Sequence, residues 1–130
     1  MRVPRWGPAL AGPFAIAGTV AALLTSTSAL AHHGAASIYD MSKETTIKAT
    51  VTEYVWTNPH VELGISTSGG TKTDLLLELG SPPNISARGW TAKSLKPGDV
   101  VTVTFNPGLR GMRIGRLVKI VLPGGKELSA

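Results

Sequence analysis

Residues 45–56 read TTIKATVTEYVW. Ile47, Ala49 and Val51 alternate with Lys48, Thr50 and Thr52, a period of two in β-branched company, which predicts a strand with one buried face. Asn58-Pro59 breaks the pattern, because proline has no N–H to give to a ladder. The alternation then resumes: in HVELGIS (60–66), Val61, Leu63 and Ile65 share one face. A polar, glycine-bearing turn, TSGGTK (67–72), leads into TDLLLEL (73–79), where Leu75, Leu77 and Leu79 share a face. These two runs predict a hairpin.

Further along, GSPPNISARGW (80–90) loses the alternation and predicts one or two helical turns capped near Ser81 or Asn84. TAKSLKPGD (91–99) predicts another turn ending in a Pro-Gly-Asp bend. VVTVTF (100–105) alternates again, with Val101, Val103 and Phe105 inward and Thr102 and Thr104 outward. Residues 112–122 form a last long strand, and PGGKEL (123–128) a terminal turn and strand. Arg110, Arg113, Arg116 and Lys119 recur at a spacing of three that would align on a helix. Gly108, Gly111 and Gly115 interrupt that pattern, and Val118, Ile120 and Val121 favour a strand. On a strand this spacing alternates faces unless Gly115 makes a bulge, so the basic series is expected to be a solvated edge.

Five to six strands with a short helical insertion predict an all-β fold, a small OB-like barrel, since closure removes exposed edges from a small sheet. The alternative is a two-sheet β-sandwich. In front of the barrel stands a segment with the three parts of a secretory signal: Arg2 and Arg5, an apolar run from Ala9 to Leu24, and the small-x-small sequence Ala29-Leu30-Ala31. The expected organisation is a cleaved signal peptide at 1–31, an N-terminal arm at 32–43 and the barrel at 44–130. The expected location is periplasmic or secreted, with no membrane span after cleavage.

Cleavage removes Arg2 and Arg5 from the 13 Lys and Arg residues, leaving a mild excess over 8 Asp and Glu. No dense basic patch interleaves with aromatics, so nucleic acid is not an expected partner. The chain contains no cysteine, which excludes disulfides and thiolate metal sites.

Cleavage after Ala31 would leave a free amine on His32, followed by His33. An amine with imidazoles forms a nitrogen set suited to Cu(II). His60 is the third histidine of the chain, and Glu62 is expected on its face two residues along. The candidate metal ligands are therefore His32, His33, His60 and Glu62, with copper as the cofactor this pattern suggests. Tyr54, Trp56, Arg88 and Trp90 are the candidate surface for a partner protein or small ligand. The inward parity of Ile47, Ala49 and Val51 puts Tyr54 and Trp56 on the opposite face unless a bulge intervenes. The preferred expectation is that these rings plug a barrel end and that Trp90 seats the insertion, with Arg88 paired to Glu78.

No Gly-x-Ser-x-Gly elbow is present. Glu53, Glu62 and Glu78 are not fixed as a glycosidase pair, and the SGG run sits in a hairpin rather than a phosphate loop. The expectation is a binding protein without catalytic residues: an accessory module docking a partner or small ligand, with a periplasmic copper-binding protein as the alternative.

Four segments taken together, AHHG…YD (31–40), WTNPH (56–60), GSP…N…ARGW (80–90) and SLKPGDVVTV (94–103), resemble a family of short exported bacterial proteins classed as a domain of unknown function. Its pattern is a signal peptide, a mature His-His-Ser-Phe start, and Trp-Thr-Asn-Pro-His and Arg-x-Gly-Trp motifs. The resemblance implies an exported small β domain and supplies no catalytic residues. Gly34 and Ala35 stand where that pattern has Ser-Phe, so the aromatic that would pin the N-terminus is missing at that position.

Overall fold

The structure is a computed structural model that describes residues 34–130. It is an OB-like barrel. Six strands follow one another: β1 (Thr45–Val55), β2 (Glu62–Ser66), β3 (Leu75–Glu78), β4 (Val100–Pro107), β5 (Ile114–Val121) and β6 (Glu127–Ser129). They are ordered β3-β2-β1-β4-β5-β6, and a parallel β3–β5 pairing closes five of them into a barrel, with β6 added to β5. One short helix, α1 (Pro82–Ser86), bridges β3 and β4. The two-sheet sandwich is thereby excluded.

The alternations predicted much of the core: Ala49 and Val51 of β1, Leu63 and Ile65, Leu77, Val101, Val103 and Phe105 are all buried. Leu117 and Ile120 of β5, with Leu95 and Leu128, join them without having been assigned a face from the sequence. Gly115 faces inward and is required there. A Cβ on it would lie 2.5 Å from Phe105 Cδ2 and 2.8 Å from Leu77 Cδ2. It makes no bulge.

The register slips elsewhere. On β1, Val51 pairs with Ile65 but Glu53 pairs with Gly64, so Thr52 is the extra residue. This bulge switches parity and turns Tyr54 and Trp56 back against the core, where both are half-buried. On β5, Lys119 pairs with Thr104 and Leu117 with Phe105, leaving Val118 as the extra residue. Arg116 and Lys119 consequently both face out despite their spacing of three. Thr104 points outward as expected yet is buried, its hydroxyl 2.8 Å from that of Thr46.

α1 begins after Ser81, whose side chain makes no cap bond. It drives Ile85 into the core, and Trp90 follows, 1% exposed, with Nε1 donating a 2.7 Å hydrogen bond to the Ser129 carbonyl. Arg88 does not pair with Glu78. Its Nη1 donates to the carbonyl of Ala130, because the insertion packs toward the C-terminal strand while Glu78 points out on β3.

Candidate functional site

Ahead of β1 the arm crosses the outside of the barrel. Residues 34–38 are helical, and Tyr39 N donates to the Ala35 carbonyl at 2.8 Å. Tyr39 bridges Gly108, Asp40 N donates to the Pro107 carbonyl at 2.8 Å, and Asn106 Nδ2 donates to the Lys43 carbonyl at 2.8 Å. The Asp40 carboxylate accepts from Ser42 Oγ and Ser42 N, which holds its pKa below the usual carboxylate value. The arm is thus stitched to the end of β4, and Tyr39 is carried beneath it, 5% exposed.

From there the Tyr39 hydroxyl donates a 2.7 Å hydrogen bond to Glu78 Oε2. Burial, then the hydrogen bond and charge of Glu78, push the Tyr39 phenol well above its ordinary range. Glu78 faces outward from β3, opposite Glu62 of β2 on one side and Arg116 of β5 on the other.

The other oxygen of Glu78 meets His60. That residue follows the cis Asn58-Pro59 bond, where Val61 N to the Gly80 carbonyl and Leu79 N to the Val61 carbonyl extend the β2–β3 ladder. His60 Nδ1 lies 3.1 Å from the Leu79 carbonyl oxygen and 3.2 Å from Glu78 Oε1. A carbonyl can only accept, so Nδ1 carries a hydrogen, and in the neutral ring Nε2 keeps its lone pair. The imidazole is half exposed.

Tyr39, His60, Glu78 and Arg116 line a cleft of about 400 Å³ whose apolar wall includes Ile38 and Leu79. Gly34 and Ala35 roof it. Such a cleft is within the size range of small-ligand sites, and a few convergent polar groups on apolar walls are their usual lining.

The sequence-derived sites divide accordingly. His60 lies in the cleft. Glu62 is exposed beside it, but the carboxylate that meets the imidazole belongs to Glu78, because cross-strand pairing outweighs spacing along one strand. His32 and His33 lie outside the described residues. Among the described residues, no three His, Cys, Asp or Glu side chains converge on a metal-holding position. Tyr54, Trp56 and Trp90 form an aromatic cluster with ring centroids 6.2 and 6.5 Å apart. Tyr54 OH donates to the Thr91 carbonyl at 3.0 Å, and burial pushes its phenol up to about 12. Trp90 is core and presents no surface; Arg88 is exposed. Tyr39, Glu78 and Arg116 were missed. The Glu62↔Glu78 register of the predicted hairpin could have brought Glu78 to His60, while nothing local in the sequence brings Tyr39 there.

The motifs that suggested a family of unknown function sit on this frame: WTNPH delivers His60, Tyr39-Asp40 anchors the arm, and Gly80 to Trp90 carries α1. Over residues 20–117 the chain matches a Family of unknown function (DUF6152). The chain belongs to that family. No curated protein and no solved structure matches it. For a member of DUF6152, the His60 cleft is the place where an arm, a loop and two strands converge with unspent hydrogen-bonding capacity. No helix among the described residues is long and apolar enough to cross a membrane.

Proposed function

We propose that this DUF6152 chain is an exported accessory module that works by binding rather than catalysis, with a partner side chain or small ligand seated in the His60 cleft. The observation that carries this is the pairing inside the cleft. Glu78 is occupied by Tyr39 and His60, whereas His60 Nε2 and the Arg116 guanidinium have no partner among the described residues. Two polar groups are therefore held ready, one by its hydrogen bonds and one by its strand, beside Ile38 and Leu79. A fragment screen by ¹H–¹⁵N NMR on the exported chain tests this. Hits that shift residues 35–39, 60, 78–80 and 116 together support it, and hits confined to the neighbourhood of Trp56 overturn it.

A second reading, copper binding, is favoured by one specific observation. A metal-ligating histidine characteristically donates its other ring N–H to a carboxylate or a backbone carbonyl, and His60 Nδ1 meets both in Glu78 and Leu79. With Nδ1–H so engaged, Nε2 is the ring nitrogen left to ligate Cu(II). Gly34 lines the same cleft, and the two residues between it and the expected new N-terminus span at most about 8 Å. His32 and its amine, with His33, would supply the remaining nitrogens. A Cu(II) competition titration on natively exported protein, its start at His32 confirmed by intact mass, tests this. Loss of at least about tenfold in affinity, 1.4 kcal/mol, on His60→Ala supports a preorganised site. Equal titration of wild type and variant reduces the His-His pair to a chelating tail.

A further inference from the structure

The basic series at 110–119, expected to be a solvated edge, is divided by the fold. Arg116 enters the His60 cleft, whereas Arg113 turns to the opposite end of β3 and meets the β2–β3 hairpin. Its Nε donates a 2.8 Å hydrogen bond to the Asp74 carbonyl, and its own carbonyl accepts from Leu76 N at 3.2 Å. The guanidinium is tethered by one edge, which leaves its terminal nitrogens to a concavity of about 580 Å³.

Lys72 lines the same concavity with Ser68, Thr71, Leu75 and Leu76, the Ser68 hydroxyl lying 3.3 Å from that of Ser66. The ion pairs among the described residues are His60–Glu78, Lys96–Asp99 and Lys119–Glu127, so neither Lys72 nor Arg113 is neutralised by a carboxylate there. The one acid in the lining, Asp74, is committed elsewhere. Its oxygens lie 3.1 and 3.0 Å from Thr67 N, and Oδ2 also accepts from Thr67 Oγ1 at 3.0 Å. At its base Ser66, 1% exposed, accepts from Gly70 N at 3.0 Å, which braces the loop from within.

We infer that the hairpin concavity is a second binding site, for a small molecule bearing an oxyanion, with Arg113 and Lys72 as its cationic contacts. Two cations outnumber one carboxylate turned to its own hairpin, so the site is net positive. A tethered guanidinium offers a planar fork that matches carboxylate, sulfate and phosphate oxygens. The volume exceeds what an inorganic ion fills, and a lining that mixes Ser68 and Thr71 with Leu75 and Leu76 suits an organic body of mixed polarity attached to the anion. This site is independent of the His60 cleft, since β3 separates them.

The test is a ¹H–¹⁵N NMR titration of the full exported chain at constant ionic strength with inorganic phosphate, glucose 6-phosphate and glucuronate, with glucose as the uncharged control. The expected result is saturable shifts at residues 66–73 and at Arg113 Nε with the anions and none with glucose. Whichever of the phosphate ester and the carboxylate binds tighter identifies the oxyanion. Lys72→Ala, on an exposed loop, and Arg113→Gln should each weaken binding about tenfold, as loss of a charge-assisted hydrogen bond does. Shifts that grow linearly without saturating, or that survive Lys72→Ala in a folded variant, would overturn the proposal and return Arg113 to a solvated edge.

Discussion

Tyr39 and Glu78, thirty-nine residues apart in the chain, are joined by a 2.7 Å hydrogen bond that fastens the N-terminal arm to the barrel wall. The same carboxylate faces His60 at 3.2 Å, so the fastening of the arm and the orientation of the imidazole share one group. Tyr39→Phe is expected to lower stability by about 1.5 kcal/mol, the low end for bonds to charged acceptors, because Glu78 is partly solvated. Hydrogen exchange checks where the loss falls. Amides 35–43 should exchange faster while those of β1 and β4 keep their protection.

Both tyrosines of the chain have raised phenol pKa values, Tyr39 through burial and Glu78, Tyr54 through burial to about 12. A raised folded-state pKa means that the stabilisation is fully present below the unfolded value of about 10 and is lost as pH rises from there through the folded values. Absorbance at 295 nm should therefore show little tyrosinate at pH 10.5 in folded protein. Stability should fall above pH 10, less steeply in Tyr39→Phe. A half-titration at pH 10 with the protein folded would contradict this.

At the acid end two carboxyls are held low, Asp40 and Asp99, and Asp99 is the one braced by an ammonium. Burial raises its pKa, but hydrogen bonds from the Lys96 ammonium at 2.5 Å and the Lys96 N–H at 3.0 Å outweigh that and hold it below the usual value. A depressed pKa contributes stability above the unfolded value of about 3.9, which is lost as pH falls through the folded value. Denaturation of Asp99→Asn should show lower stability than wild type at pH 6, and the two curves should converge under strong acid.

Gly115→Ala places a methyl group against Phe105 and Leu77 on the inner face of β5. Overpacking of this kind costs about 1–3 kcal/mol. A urea melt should show a lower midpoint with an unchanged slope.

Trp90 and Trp56 separate core from surface. Trp90→Ala should cost about 3–5 kcal/mol, as deletion of a buried aromatic does. Trp90→Phe should recover most of that and lose the bond to the Ser129 carbonyl. Trp56→Ala, at a half-buried position, should cost less than Trp90→Ala in thermal melts. Equal costs would place Trp56 fully in the core.

Much of the fold was legible in the chain, because period-two burial is a local property. Ile65, Leu77, Val101 and Val103 each announce a core face through their own neighbours. The two bulges were not legible, because Thr52 and Val118 are ordinary strand residues whose displacement is set by the curvature of a closed barrel. For that reason strict parity does not hold at Tyr54 and Trp56, where the bulge left open by the sequence occurs, or at the Arg116–Lys119 pair, where it falls at Val118 rather than Gly115. The candidate site was legible only at His60, which Asn58-Pro59 marks as the start of a new element.

By itself the sequence determined the strands, most inward residues of β1 to β4, the helical insertion and the resemblance that family membership bears out. Only the tertiary structure decided that Glu78 rather than Glu62 meets His60, that Tyr39 pins the arm, and that Arg113 and Arg116 serve opposite ends of one strand. The reason is physical. Alternating hydrophobicity records which side of a strand is wet, whereas a polar cluster depends on cross-strand register and on a closure between β3 and β5 that no local pattern encodes.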